Sequence, residues 1–310
     1  MNTAPLISPP NVNVLTSDCR GHRLLDSGNH RKLEQFGTVR IIRDEPKAWW
    51  RPALPHSEWN SAHAVHKDDS HGGKWLFPHG EIPPSWEFPL SLPLAHPLRL
   101  QLRFTDNSKQ IGIFPEQYPH WHWLATHPPP PSASPPRLLN LFAYTGAASL
   151  VCAASGWHVT HVDASKPAVA WARRNAELSG LTLAPIRWII EDATKFVQRE
   201  IRRKNHYDAI LLDPPAFGRG PNNEFWKIER HLPPLLELCR DLLSPNASLI
   251  LLTLYTIDAS CLLCHNLLQQ ATLQRNGSIA SGELTLRDES SPRFLPLSLW
   301  GRWSQNNDLR

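Results

Sequence analysis

The chain has 310 residues, 41% of them apolar and 19% charged, and a mean hydropathy of −0.36. This composition is typical of a folded, water-soluble protein with one large domain or a catalytic domain plus a smaller one. The net charge of +4 is compatible with a nucleic-acid partner but too small to require one. We expect neither a membrane helix, which needs roughly 18 consecutive apolar residues, nor a signal peptide. The five scattered cysteines do not suggest a disulfide framework and favour a reducing cytoplasm.

The N-terminal part of the chain is predicted to contain a tail, a small domain and a connector. Residues 1–17 are polar and aperiodic, so we expect a disordered tail. Residues 18–127 contain short extended runs at 38–43, 74–77, 98–104 and 111–114, separated by turn-forming residues, which predicts a β-rich domain. Residues 128–136 are mostly proline, and we expect them to form an extended linker.

Residues 137–310 alternate between strand and helix patterns. Strands are predicted at 138–142, 158–162, 186–190, 209–212, 249–254, 283–286 and 297–303, and helices at 147–155, 167–179, 194–204, 232–243 and 259–271. Five strand–helix repeats followed by two strands predict an α/β fold with a doubly wound, mostly parallel sheet, in which the last strands can pair antiparallel.

The loops that follow the predicted strands should carry the binding residues, because ligands of open α/β sheets bind beyond the carboxyl ends of the strands. Residues 140–146 read Asn-Leu-Phe-Ala-Tyr-Thr-Gly, and Gly146 lets the backbone approach a ligand closely. No G-x-G-x-x-G pattern is present here, which counts against NAD or FAD. A generic strand–turn–helix connection also explains this segment.

Two further loops place acidic residues at strand ends. Asp163 follows the second strand, where a carboxylate can accept hydrogen bonds from both ribose hydroxyls of a nucleoside. Asp192 follows the third strand and can accept from a donor such as an adenine amino group. Each of them could instead cap the helix that follows it.

Residues 213–218, Asp-Pro-Pro-Ala-Phe-Gly, form the most specific segment of the chain. The two prolines fix the backbone and leave carbonyl groups as acceptors. Asp213 adds a charged acceptor, the Pro214 carbonyl a neutral one, and Phe217 a flat apolar face. Together these groups could hold a planar ring that carries an amine.

These segments together resemble a known family. Residues 140–146, residues 163–165 (Asp-Ala-Ser) and residues 213–217 resemble the N-L-F-x-Y-T-G, V-D-x-S and D-P-P-x-F motifs of class I methyltransferases related to the bacterial 23S rRNA methyltransferases of the RlmI and RlmK/L kind. Residues 24–37 and 281–284 are similar to the L-L-D-S-G-x-x-R-K-L-E-x-F-G and S-G-E-L patterns of a compact subgroup. The resemblance covers nearly the whole chain.

The resemblance implies a Rossmann-like fold, S-adenosyl-L-methionine as cofactor and an RNA substrate. It also implies a cofactor site, formed by Gln117, Asn140, Phe142, Tyr144, Thr145, Gly146, Asp163, Ser165, Asp192 and Asp213. Asp213, Pro214 and Phe217 are the predicted catalytic residues, which orient and stack on the acceptor. No metal is expected.

The chain departs from the family pattern in one segment. Cytosine-C5 enzymes of this kind need a cysteine thiolate after the fifth strand, but residues 253–257 read Thr-Leu-Tyr-Thr-Ile. We therefore expect methylation of a nitrogen or oxygen, which already carries a lone pair and needs mainly alignment. Two alternatives stay open: a small-molecule methyltransferase, and a non-catalytic binding protein of the same fold.

Two other clusters are better explained by packing. Cys261, Cys264 and His265 resemble half of a metal motif, but the residues around them have the apolar periodicity of a helix, which favours a role in the core. The alternating histidines and tryptophans at 120–123 could line a cleft, but we expect them to be structural.

Overall fold

The fold is given by a computed structural model, which describes residues 10–68, 73–106, 108–129, 131, 134–220, 224–255 and 257–305. The strands are β1 Val12–Thr16, β2 His22–Gly28, β3 Arg31–Phe36, β4 Val39–Asp44, β5 Ala64–Lys67, β6 Lys74–Leu76, β7 Ser85–Leu90, β8 Leu98–Arg103, β9 Arg137–Leu141, β10 His158–Asp163, β11 Ile186–Ile190, β12 Ala209–Leu212, β13 Phe217–Arg219, β14 Phe225–Lys227, β15 Leu249–Tyr255, β16 Ser278–Arg287 and β17 Phe294–Ser304. The helices are α1 His56–Asn60, α2 Tyr118–Thr126, α3 Ala147–Ala154, α4 Lys166–Leu178, α5 Ala193–Arg202, α6 Ile228–Leu242 and α7 Leu262–Ala271, with a 3₁₀ turn at Pro115–Gln117.

An eight-stranded sheet in the order β1-β16-β17-β15-β12-β9-β10-β11 forms the centre of the molecule. Strands β9 to β12 and β15 pair in parallel, whereas β17 runs antiparallel to both β15 and β16. All four residues of β12 are buried, as a strand covered on both faces requires. The predicted doubly wound α/β fold is confirmed, including its antiparallel last strands.

Local capping explains where two helices of this sheet begin. The Ser165 hydroxyl accepts from the Ala168 N–H at the start of α4, and the Asp192 carboxylate accepts from the Lys195 N–H at the start of α5. These caps lie at the carboxyl ends of β10 and β11. The helix starts and the binding edge of the sheet therefore coincide.

The N-terminal part is rich in β-structure, as predicted. A five-stranded sheet of β2 to β6 and a hairpin of β7 and β8 precede α2. The predicted strand at 111–114 is wrong, because this segment is irregular. Gly112 has φ +104° and approaches Trp171 so closely that a Cβ atom would lie 2.3 Å from the indole ring. A straight strand cannot make this approach.

Part of the predicted tail is a strand. Residues 1–9 lie outside the described residues, but β1 pairs in parallel with β16, with Val12 opposite Ser281. Gly282 permits this pairing, since a Cβ atom there would lie 1.6 Å from the Asn13 carbonyl oxygen. The partner strand is almost 270 residues away, so local periodicity carries no signal for β1.

One buried core joins the two parts of the chain. Leu100 and Trp121 from the N-terminal part pack in the same cluster as Leu138, Leu150 and Leu211 from the central sheet. The division into residues 18–127 and 137–310 stays a prediction, and part of the linker at 128–136 lies outside the described residues. No helix in the described part of the chain is long and apolar enough to cross a membrane.

Candidate active site

A cleft of about 440 Å³ opens at the carboxyl ends of β9 to β12, where the sheet topology predicts a ligand. Its walls include seven of the predicted residues, and these are Phe142, Tyr144, Asp163, Ser165, Asp192, Asp213 and Pro214. The described residues contain no group of three or more side chains arranged to hold a metal ion.

The loop after β9 enters the cleft through an unusual backbone. Phe142, Tyr144 and Gly146 have φ values of +56°, +48° and +88°, in the left-handed region. The first two are not glycines, and such residues persist only where surrounding contacts hold them. Here the Tyr144 N–H donates to Asp163 Oδ2 over 2.8 Å, which ties this loop to the end of β10. Gly146 is required, since a Cβ atom there would lie 2.9 Å from that of Ala172.

Asp163 faces the cleft and does not cap α4, because Ser165 does. Its carboxylate accepts from the N–H groups of Tyr144 and Ser165, each over 2.8 Å. Burial raises the pKa of Asp163, although the two backbone hydrogen bonds oppose the shift. The backbone thus orients this carboxylate, and a nucleoside hydroxyl would supply the further donor that it lacks.

Asp192 caps a helix, and this does not remove it from the cleft wall. Its Oδ1 accepts from the Lys195 N–H over 3.0 Å as the N-cap of α5, and the residue also lines the cleft. Glu191 lines the cleft beside it and was not predicted.

Asp213 lies between the cleft and a smaller cavity of about 60 Å³ behind it. Gln117 Nε2 donates to Asp213 Oδ2 over 3.2 Å, while Oδ1 is buried without a hydrogen-bond partner among the described residues. Burial, with a contribution from the charge of Glu116, raises the pKa of Asp213 to about 8. The raised pKa favours the protonated carboxyl at neutral pH.

The stiff turn after β12 is fixed by a tryptophan that the sequence did not single out. Trp226 Nε1 donates to the Pro215 carbonyl oxygen over 2.7 Å, so that carbonyl is already used. The Trp226 ring also lies 4.9 Å from that of Phe142. Pro214, in contrast, lines the cleft.

Phe217 lies outside the cleft wall, on the short hairpin of β13 and β14. Its side chain is 63% exposed, next to Gly218, which does line the cleft. In the register of this hairpin Phe217 is opposite Lys227, and Arg219 is opposite Phe225. These four residues alternate with Gly218 and Trp226 and so share the outer face of the hairpin, from which Arg219 also reaches the cleft wall. Residues 221–223, at its tip, lie outside the described residues.

The remaining predicted residues line the smaller cavity instead. They are Gln117, Asn140, Thr145 and Gly146. Asn140 Nδ2 donates to Ser149 Oγ over 2.9 Å, and the Thr145 hydroxyl donates to the Gly112 carbonyl over 2.7 Å. These two side chains support the loop from behind.

Two aromatic residues complete the cleft wall. Phe114 and Tyr255 line it with their ring centroids 5.4 Å apart. Tyr255 ends β15 in the segment where the cytosine-C5 enzymes would carry cysteine. Burial raises the pKa of its phenol well above the ordinary value, so the group is neutral. All five cysteines of the chain are buried and free, and none of them lines the cleft.

The two clusters that were attributed to packing differ. Cys261 and Cys264 are buried in the core around α7. His120 and Trp121 are buried on α2 and line the smaller cavity, and the His120 ring packs against Trp300 at 5.3 Å. His122 and Trp123 instead line a separate cavity of about 890 Å³.

The sheet order places the protein in the doubly wound class, and acidic residues at three strand ends line its cleft. The family described as S-adenosylmethionine-dependent methyltransferase matches residues 96–251, just over half of the chain. The chain therefore belongs to this family, and its cofactor is S-adenosyl-L-methionine. The cleft fits that cofactor, because it offers carboxylates to a nucleoside beside an apolar aromatic wall.

Individual relatives agree with this assignment. The crystal structure of the S-adenosylmethionine-dependent methyltransferase from Agrobacterium tumefaciens is 44% identical, with a TM-score of 0.86 over 95% of this chain and 94% of that one. The ribosomal RNA large subunit methyltransferase K/L of Hahella chejuensis is 38% identical over 45% of this chain, but the match covers only 18% of that protein. SMU.776, a methyltransferase crystallised with SAH, has a TM-score of 0.69 at 17% identity over 91% of this chain and 75% of that one, and shows the fold alone.

Proposed function

We propose that the protein transfers the methyl group of S-adenosylmethionine to a nitrogen or oxygen of a nucleobase in RNA. The observation that carries the proposal is the Asp213–Pro214 turn, which lines a cofactor cleft whose wall contains no cysteine. A nitrogen or oxygen acceptor needs no covalent enzyme intermediate, so alignment is the main task of the site.

Each residue has a defined role in this proposal. Asp163 accepts from the ribose hydroxyls, and Asp192 from the adenine amino group. When bound, the cofactor supplies a methyl group on a positively charged sulfur. Asp213 and the Pro214 carbonyl accept hydrogen bonds from the acceptor base, and Phe217 stacks on it from the rim. Gln117 positions Asp213 through its hydrogen bond of 3.2 Å.

Two observations favour RNA over a small molecule. The outer face of the β13–β14 hairpin presents Phe217 and Phe225, 63% and 58% exposed, together with Arg219 and Lys227. Exposed aromatic rings next to cations are typical of surfaces that stack on unpaired bases and follow a phosphate backbone. The Hahella chejuensis relative is named for ribosomal RNA methylation.

A cytoplasmic location is proposed because every cysteine is free.

Asp213→Ala is the direct test. We expect calorimetric titration to give an affinity for S-adenosylmethionine within a few-fold of wild type, and no binding of NADH to either protein. Transfer of labelled methyl groups to total RNA should be lost in the variant. Undiminished transfer would show that Asp213 does not orient the acceptor. Transfer by wild type to small metabolites but not to RNA would refute the proposed substrate.

A further inference from the structure

A further cavity, rich in positive charge, adjoins the cleft. It has a volume of about 140 Å³, and four basic and two acidic residues line it. The basic residues are Lys32 on β3, Arg43 on β4, and Lys47 and Lys109 on the segments that follow β4 and β8. Such a concentration of cations in one small concave site is unusual for a solvated face, where charges of both signs are interspersed.

Two of these cations are committed to carboxylates. The Arg43 guanidinium donates from Nε and Nη2 to the two oxygens of the buried Glu34, each over 2.8 Å. Lys32 Nζ lies 3.7 Å from Glu34 and 3.6 Å from Glu45. The charges of Arg43 and Lys32 are therefore compensated by the carboxylates of Glu34 and Glu45.

The other two cations have only neutral partners. Lys47 Nζ donates to the Leu297 carbonyl over 2.7 Å, and Lys109 Nζ donates to the Asp44 carbonyl over 2.8 Å. Among the described residues, neither ammonium group forms a salt bridge. Burial lowers the pKa of both lysines; nearby carboxylates oppose the shift at Lys47, whereas the charge of Lys32 adds to it at Lys109. An anion in the cavity would offset the desolvation of both ammonium groups.

The two carboxylates in the wall do not cancel this preference. Glu45 already faces Lys32. Burial raises the pKa of Glu116. Even when Glu116, Glu45 and the buried Glu34 are all counted as anions, the four basic side chains of the cavity leave a net positive charge.

The position of the cavity links it to methyl transfer. Gln110, Phe114 and Tyr255 line both this cavity and the cofactor cleft, so the two aromatic rings separate them. The cationic cavity therefore borders the aromatic wall against which an acceptor in the cleft would lie. The room suffices for a phosphate group, since a single water occupies roughly 30 Å³ in the liquid.

We propose that this cavity binds a phosphate group of the nucleotide whose base accepts the methyl group, with Lys47 and Lys109 as its principal ligands. The identity of the occupant rests on the proposed function, whereas binding of a tetrahedral anion does not. The phosphate can belong to an RNA backbone or to a free mononucleotide.

Binding of inorganic phosphate to the full-length protein at low ionic strength tests the site directly. We expect saturable binding that is weakened about tenfold by Lys47→Met or Lys109→Met, and more by both, because each removes one charge-assisted hydrogen bond. Lys109→Arg should retain binding. The matched control is Lys74→Met, which removes an exposed cation from the same part of the chain. Unchanged affinity in the double variant, or no saturable binding to wild type, would overturn the site.

Folding is monitored by the affinity for S-adenosylmethionine, which the lysine variants should leave unchanged. Methyl incorporation into total RNA and into a mixture of 5′-mononucleotides then separates the two sources of phosphate. We expect RNA to be the acceptor, with kcat/KM reduced at least tenfold in the double variant. If phosphate binds as expected but RNA is not methylated, the proposed function fails alone. If the double variant methylates RNA as wild type does, the phosphate site fails alone.

Discussion

At the scale of single residues, the ionisation of Asp213 links the geometry of the cleft to a measurable pH profile. With its pKa raised to about 8, the hydrogen-bond-accepting anion is the minor form at neutral pH. We predict that kcat/KM for RNA, which reports the free enzyme, rises about tenfold per pH unit below this pKa and levels off above it. Because a bound cation favours the carboxylate, kcat should level off at lower pH.

Asp213→Asn provides the control for that profile. An amide does not titrate in the range of roughly pH 6 to 9, so the residual activity of this variant should be independent of pH there. A wild-type profile that is equally flat would contradict the role of the Asp213 anion.

The same carboxyl should make stability depend on pH. Its folded pKa lies above the ordinary value of 3.8, so between about pH 4 and 8 the unfolded chain releases a proton that the folded protein retains. Stability therefore decreases as pH rises through this window, and the loss is complete above the folded pKa. We predict that Asp213→Asn is more stable than wild type by roughly 1–3 kcal/mol at pH 8, with the difference vanishing near pH 4. Urea unfolding at the two pH values measures this difference.

At the scale of elements, the β13–β14 hairpin is predicted to contact substrate only through its outer face. Phe217→Ala should reduce kcat/KM for RNA by roughly 10- to 100-fold, since stacking on one base contributes about 1–3 kcal/mol. The affinity for S-adenosylmethionine should not change, because Phe217 is outside the cleft wall. Phe294→Ala is the matched control, as that ring is 51% exposed at the start of β17. An equal effect of both variants would show that the hairpin does not contact the substrate.

The edge strand β1 depends on one glycine. Because a Cβ atom at Gly282 would lie 1.6 Å from the Asn13 carbonyl oxygen, Gly282→Ala should displace β1 from β16. We predict a loss of roughly 1–3 kcal/mol in the free energy of unfolding and faster amide exchange across residues 12–16. Gly80→Ala is a suitable control, since no atom lies within 4 Å of a Cβ there, although its φ of +95° adds backbone strain. Protection of β1 equal to that in wild type would contradict the pairing.

At the scale of the whole molecule, the net charge of +4 is small, so affinity for RNA should come from localised cations. We predict that log K for RNA falls linearly with log salt concentration. The double variant Lys47→Met, Lys109→Met should lower the slope only by the contribution of the one phosphate held in the cavity, roughly 0.7 for single-stranded RNA. Equal slopes for both proteins would place those lysines outside the RNA contact.

The sequence by itself determined the strands and helices of the central sheet from residue 137 onward, but it gave no sign of the β13–β14 hairpin. Those elements are local: buried parallel strands such as Ala209–Leu212 are wholly apolar, and helices such as Lys166–Leu178 begin at a capping residue. Since ligands bind at the carboxyl edge of such a sheet, placing Asp163, Asp192 and Asp213 in one cleft required only their positions after the strands.

Only the tertiary structure decided which way the side chains around that cleft are directed. Asn140 and Thr145 point to the cavity behind the loop because Ser149 and the Gly112 carbonyl hold them there, and Phe217 points outward because Trp226 occupies the inner face of its hairpin. The cationic cavity and strand β1 join segments far apart in the chain, as in the contacts of Lys47 with Leu297 and of Val12 with Ser281. Local sequence patterns encode periodicity and capping, whereas these contacts arise only when distant segments pack together.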